Sequence, residues 1–348
     1  MKRIIATAKS EILVGLVVVA AVIVGIIVLF SFDITGERGS GLDEEFIYNI
    51  DDLTKIDPEL ILYSELARPI NTGFSQSHGI ATDTSGTIYA AGDKSIRVYD
   101  INGNLQKDIK LEGSPRCLTV GEDAKVYIGM KNYVQVYDGQ TEELTSWESV
   151  EDDSVLTSIA VLKNDVFVAD AGNRIVYRYD TEGDLISHIG AKDADRNIPG
   201  FVIPSPYFDL AIAKDGLLRV VNPGRHRIEA YTFNGDLEFW WGIYSPNVEG
   251  FCGCCNPVNF VILEDESFVT AEKGLVRIKI YDADGKFVGV VAGPEQLLKA
   301  GEAKICEIPA NCQKGGFDLA VDVQQRIIVL DTIRNVIRIF SKTGQNNG

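Results

Sequence analysis

The chain has 348 residues, 45% of them hydrophobic, and a formal net charge of -17. That is ample apolar material for a large core, and the length suits one extended domain rather than several small ones. So acidic a surface repels polyphosphates, and no basic stripe interleaved with aromatics occurs, which argues against a nucleic-acid partner.

In chain order, residues 1–11 are a short basic start carrying Lys2, Arg3 and Lys9. Residues 12–32 open with an uninterrupted apolar run, Ile12 to Phe30. At ~1.5 Å per helical residue that run matches the ~30 Å hydrocarbon core of a bilayer. It is expected to be a single transmembrane anchor. The basic residues before it, with Asp33, Glu37, Asp43, Glu44 and Glu45 after it, place the N-terminus in the cytoplasm and the remainder outside, periplasmic or at the cell surface. Residues 33–58 are acidic without a sustained period and read as a juxtamembrane linker.

From residue 59 to 348 the chain repeats. Small apolar triplets centred on Ile80, Leu118, Ile159, Leu210, Phe260 and Leu319 open six units. Each is followed by a turn signal, a second β-rich run, a strand of strict alternation such as Ile96-Arg97-Val98-Tyr99, and a hairpin signal such as Asn102-Gly103 or Asn234-Gly235. Four strands per unit predict propeller blades. The sixth unit ends after its third strand, and Leu60-Ile61-Leu62-Tyr63 supplies a spare strand upstream of the first. The fold class is therefore all-β, a six-bladed β-propeller closed by an N-terminal strand, preceded by one transmembrane α-helix.

The run Val168-Ala169-Asp170-Ala171-Gly172-Asn173-Arg174-Ile175, followed by Tyr179-Asp180 and Glu182-Gly183, resembles the NHL repeat. Weaker copies run from Val221 to Ile228 and from Leu330 to Val336. The chain is thus similar to a membrane-anchored, bacterial-type member of the NHL-repeat six-bladed propellers. The resemblance implies the fold. It leaves function open, because such propellers include binding modules, RNA binders, lyases and hydrolases. Zinc chemistry of the family's lyases needs histidines at blade starts, and only His78 is so placed. The related calcium-dependent lactonases ring one channel end with acids and amides.

The residue before each apolar centre should face the channel mouth, which gives Gly79, Cys117, Ser158, Asp209, Asn259 and Asp318. Ser158, Asp209, Asn259 and Asp318 are candidate oxygen ligands for Ca²⁺, or ordinary polar lining of a wet channel. His78 could act as a base there, with Arg116 holding an anionic ligand.

Cys252, Cys254 and Cys255 precede the fifth unit, and Cys306 and Cys312 precede the sixth. In an oxidising compartment these five predict disulfides; the odd count leaves a soft-metal or thiol-redox centre as the alternative. Phe239-Trp240-Trp241 and Tyr244 form the densest aromatic patch, with Trp240, Trp241 and Tyr244 as interface candidates. The expected function is a membrane-anchored binding or assembly module with a protein partner in an envelope complex, using the long-loop face. The alternatives are a redox protein at the cysteines or a calcium-dependent lactonase-like hydrolase at the channel mouth. With no nucleophile motif or phosphate-cradling loop in the sequence, this reading leans away from catalysis.

Overall fold

The computed structural model describes residues 19–24, 55–299 and 315–344. The chain separates into two compact units, Met1–Asn49 and Ile50–Gly348. Of the expected anchor over 12–32, residues 19–24 are helical and the rest lies outside the described residues, as does the linker from 33 to 54. Among the described residues no helix is long and apolar enough to cross a membrane. The transmembrane helix, the membrane as a partner and the single-pass, extracytoplasmic location are corrected accordingly.

The second unit contains six four-stranded antiparallel sheets. Their inner strands are β2 (Ser77–Thr82), β6 (Cys117–Val120), β10 (Leu156–Leu162), β14 (Leu210–Ile212), β18 (Asn259–Ile262) and β22 (Asp318–Val321). Each inner strand neighbours the next, and β22 returns to β2, so the ring is closed. The third-to-fourth strand hairpins share one device. Asp100, Asp180 and Asp282 each accept backbone N–H groups two and four residues ahead. Gly103, Gly183 and Gly285 then take the positive φ that the turn demands.

Closure is as expected, with a shift in position. The closing strand β1 (Tyr63–Asn71) pairs antiparallel with β24 (Val336–Lys342), giving the sheet order β1-β24-β23-β22, where β23 is Ile327–Asp331. Only Tyr63 of the anticipated strand belongs to it. Pro58 instead starts a 3-10 turn over Pro58–Leu60, with the Asp57 side chain accepting from Glu59 N–H, so the chain has not yet extended there. The β1 register slips between Leu66 and Ile70, where Pro69 has no N–H to give the ladder. Arg338 makes a bidentate bond to Glu65, Nε to Oε1 at 2.8 Å and Nη2 to Oε2 at 2.6 Å, and so ties the first strand to the last.

The core lies between neighbouring blades. Between blades four and five, for example, Trp241 packs on Phe268 and Tyr281 with ring centroids 4.9 Å away in each case. Strand alternation puts Trp241 inside and leaves Trp240 outside at 52% exposure, with Tyr244 also exposed at 62%.

Candidate functional site

One face of the ring carries the connections that enter each inner strand. They are pinned by polar side chains at the ends of the second strands. Asp170 accepts from Val155 N–H at 2.8 Å, Asn222 from Val202 N–H at 3.0 Å and Glu272 from Cys252 N–H at 2.9 Å, while Asn335 accepts from Ser77 N–H at 2.8 Å. Asp170, Asn222 and Glu272 are fully enclosed. Buried acceptors that satisfy loop N–H groups fix loop positions far more tightly than solvated ones, because breaking them leaves both partners unsatisfied. The Asp170-to-Arg174 motif is part of this device: Asn173 Nδ2 donates to Asp170 Oδ2 at 2.9 Å, and Arg174 takes a positive φ of 59°.

On this face a cavity of about 240 Å³ opens at the channel mouth. Its wall includes Ser77, His78, Arg116, Thr157, Tyr207, Asn259, Asp318 and Thr332. His78, Arg116, Asn259 and Asp318 of the expected set therefore share one cavity. Ser158 and Asp209 line the adjoining channel of about 520 Å³, together with Cys117 and Asp318, so Asp318 is common to both spaces. Tyr207, Thr157 and Thr332 were not singled out in the sequence. Thr332 follows the terminal acid Asp331 of β23, and that position could have flagged it.

The two acids are held by backbone. Asp209 Oδ1 accepts from Ser158 Oγ at 2.5 Å and Leu210 N–H at 2.9 Å, and its Oδ2 accepts from Phe260 N–H at 2.8 Å. Asp318 Oδ2 accepts from Ile80 N–H at 2.7 Å and Oδ1 from Leu319 N–H at 3.0 Å. Each acid thereby clips the next blade's inner strand. Burial pushes Asp209 up to about 6 against those hydrogen bonds. Burial, reinforced by the negative charge of Asp209, pushes Asp318 up to about 8. Both acids are thus driven above the usual carboxylate range, Asp318 further than Asp209.

His78 is held below its ordinary range, first by burial and then by the Arg116 cation, with Asp93 opposing. Asp93 also accepts from Ser75 and Gln76 N–H, at 2.9 Å each, and so fixes the segment that leads into His78. A neutral imidazole thus faces the same cavity as a protonated carboxyl and an exposed guanidinium.

The acids, amide and hydroxyl do not fit a Ca²⁺ centre. Such an ion takes six to eight oxygens, whereas both carboxylates spend their oxygens on N–H and hydroxyl donors and Asn259 Nδ2 donates to Phe317 O at 2.8 Å. Among the described residues no group of three or more His, Cys, Asp or Glu side chains could hold a metal.

The cysteine loop lies on the same face. Cys252, Cys254 and Cys255 are free thiols, which corrects the disulfide expectation for them; Cys306 and Cys312 lie outside the described residues. Cys254 and Cys255 bring their sulfurs to 3.2 Å, well beyond the ~2.05 Å of an S–S bond. Burial alone would raise the Cys255 thiol, but hydrogen bonds from Ser205, Lys273 and Cys254 bring it below the ordinary range. Cys117, buried in β6, is pushed up strongly by burial and by the charges of Asp318 and Asp209.

No family model matches the sequence, and no curated protein matches it at a significant level. The NHL resemblance is corrected on that finding: its motif residues serve a hairpin cap that any blade with this geometry would favour. Solved structures do match in shape. A streptogramin B lyase matches with a TM-score of 0.56 at 11% identity, over 81% of this chain and 98% of that one. A catalytically inactive virginiamycin B lyase from Staphylococcus aureus, with quinupristin, matches at 0.55 and 14%, over 80% and 99%. A gluconolactonase from Xanthomonas campestris matches at 0.57 and 13%, over 79% and 88%. These likenesses define the class as an all-β, six-bladed propeller. The fold is one that carries enzymes in all three, which overturns the lean away from catalysis; what each acts on belongs to that protein.

Proposed function

We propose that the protein is an enzyme that hydrolyses a small ester or lactone bearing a carboxylate, by acid–base catalysis at the channel mouth. The observation that supports it is the neutral His78, the protonated Asp318 and the Arg116 cation on one cavity wall. Groups whose environments drive their pKa values apart, toward either side of neutrality, are what an acid–base pair needs. At about 240 Å³ the cavity is below the ~300–1,000 Å³ of drug-sized sites, so the substrate is small.

In this reading Arg116 binds the substrate carboxylate. His78 takes a proton from water as its oxygen attacks the carbonyl carbon; the C–O bond breaks, and the leaving oxygen takes the proton of Asp318. Proton return from His78 to Asp318 resets the site. Asp209 is a positioning residue that acts through Asp318, since its charge adds to the burial that pushes that acid up.

The test is a panel of small carboxylate-bearing lactones and aryl esters, assayed with the full chain. The expected result is turnover that is lost in both His78→Gln and Asp318→Asn and is unaffected by EDTA. No turnover above buffer across the panel would overturn the reading. So would activity that EDTA abolishes and Ca²⁺ restores.

A further inference from the structure

A second chemically distinct centre stands in the loop entering blade five, and it does not depend on the hydrolase reading. The loop is built rather than loose. Cys252 N–H is held by Glu272, Cys252 O accepts from Asn256 Nδ2 at 2.6 Å, and Gly253 O meets His226 Nε2 at 2.6 Å. Asn256 also exchanges two hydrogen bonds with the Lys273 backbone, Nδ2 to its O and Oδ1 from its N, at 3.0 Å each. These contacts present Cys254 to solvent and bury Cys255 at 3% exposure with their sulfurs 3.2 Å apart.

Behind Cys255 stands Lys273, itself only 3% exposed, with its Nζ 2.9 Å from Ser205 Oγ and 4.9 Å from the centroid of the Tyr207 ring. Both Ser205 and Lys273 act to lower the Cys255 thiol. The Lys273 ammonium beside the thiol favours its ionised form. The same ammonium repels a metal cation, and only two thiols meet among the described residues.

We propose that Cys254 and Cys255 form a redox-active dithiol that exchanges with low-molecular-weight disulfides and closes to a vicinal disulfide. Cys254 is the entry thiol because it is the exposed one. Its sulfur attacks one sulfur of the external disulfide RSSR while its proton passes across the 3.2 Å contact to the Cys255 sulfur, in the ionised form that Ser205 and Lys273 favour. The products are a mixed disulfide at Cys254, a Cys255 thiol and one RS⁻. The Cys255 sulfur then attacks Cys254 Sγ, the bond to R breaks, and the departing sulfur takes the Cys255 proton as RSH. Two cysteine sulfurs are oxidised and one RSSR is reduced to RS⁻ plus RSH, so atoms, charge and electrons balance. The sulfurs need to approach by only about 1 Å to reach bonding distance. Closure removes the thiolate that holds Lys273, beside the Tyr207 wall of the cavity.

The test uses the reduced full chain, equilibrated with oxidised and reduced glutathione, acid-quenched, alkylated, digested and mapped by mass spectrometry. The expected result is loss of two hydrogens from the peptide holding Cys254 and Cys255, with both escaping alkylation. Cys255→Ser should stop at a stable glutathione adduct on Cys254, because the resolving sulfur is gone. Lys273→Met should slow closure about tenfold by withdrawing the charge that favours the thiolate. Full alkylation of both thiols at every glutathione ratio would overturn the proposal, as would bridges that run from Cys254 or Cys255 to Cys252, Cys306 or Cys312. If Lys273→Met does not fold, Cys255→Ser decides alone: no adduct at Cys254 sinks the entry role.

Discussion

Cys117 in the channel wall and Cys255 in the loop entering blade five are both buried thiols, yet they are driven in opposite directions. Cys117 lies in the channel wall with Asp318 and Asp209 as charged neighbours, and Gly129 against its sulfur leaves no room for a Cβ. Cys255 has the ammonium of Lys273 and the hydroxyl of Ser205 instead. Burial is common to the two and raises both; the hydrogen bonds and cation beside Cys255 bring it down, while the acids beside Cys117 push it further up. The same rule separates the acids. Glu272 is as enclosed as any group in the molecule, but Lys279 and Arg277 hold it below its usual range, whereas Asp318 faces another acid and rises to about 8. Enclosure makes a group sensitive, and its neighbours make it reactive.

The contrast can be broken most directly at the channel mouth. Replacing His78 by Gln should lower kcat roughly 10²- to 10⁴-fold, the usual contribution of a general base, with KM little changed. Steady-state kinetics on any lactone the enzyme turns over would check it; a loss confined to KM would demote His78 to a binding group. The two thiols offer the next largest effect. In the native protein at pH 7 an alkylating agent should label the Cys254–Cys255 pair at least tenfold faster than Cys117, which should react only after unfolding. Equal rates would mean that charge does not separate them.

A smaller effect concerns pH. The rate should rise as His78 loses its proton below pH 6.5 and fall as Asp318 ionises near pH 8. Asp318→Asn should erase the alkaline limb together with most activity, and Asp209→Asn should move that limb downward by removing the charge that raises Asp318. The smallest expected effect is on stability. Asp318 has a folded value above its unfolded 3.8, so the folded state binds the extra proton between 3.8 and about 8. Its contribution is present below pH 3.8 and is lost as pH rises through about 8. Asp318→Asn should flatten the decline of Tm over that window, and an unchanged slope would show that the channel solvates this acid.

Much of the architecture was legible in the residues because it is written locally. Six apolar triplets, alternating third strands and hairpin signals such as Asn102-Gly103 each report a period or a turn within about ten residues, and closure followed from a sixth unit one strand short. The position of the closing strand was misjudged at Leu60–Tyr63 because Pro58 and Asp57 prolong a 3-10 turn that hydropathy alone does not reveal. The apolar run from Ile12 to Phe30 was read from its hydropathy, length and flanking charges, and among the described residues no helix is long and apolar enough to cross a membrane.

The ring of residues before each triplet was also found by position, yet its chemistry was not. Asp209 meets Ser158 and Phe260, each 51 positions away, and Asp318 meets Ile80, 238 positions away. Likewise Lys273 reaches Ser205 across 68 positions. By itself the sequence determined the blades and their number, because strand period and turn preference are properties of neighbouring residues. Only the tertiary structure decided which acid is pushed up furthest, that the carboxylate oxygens accept from backbone, and which cysteine is brought down. Those properties depend on burial and on charges brought through space from other blades, and no local pattern records them.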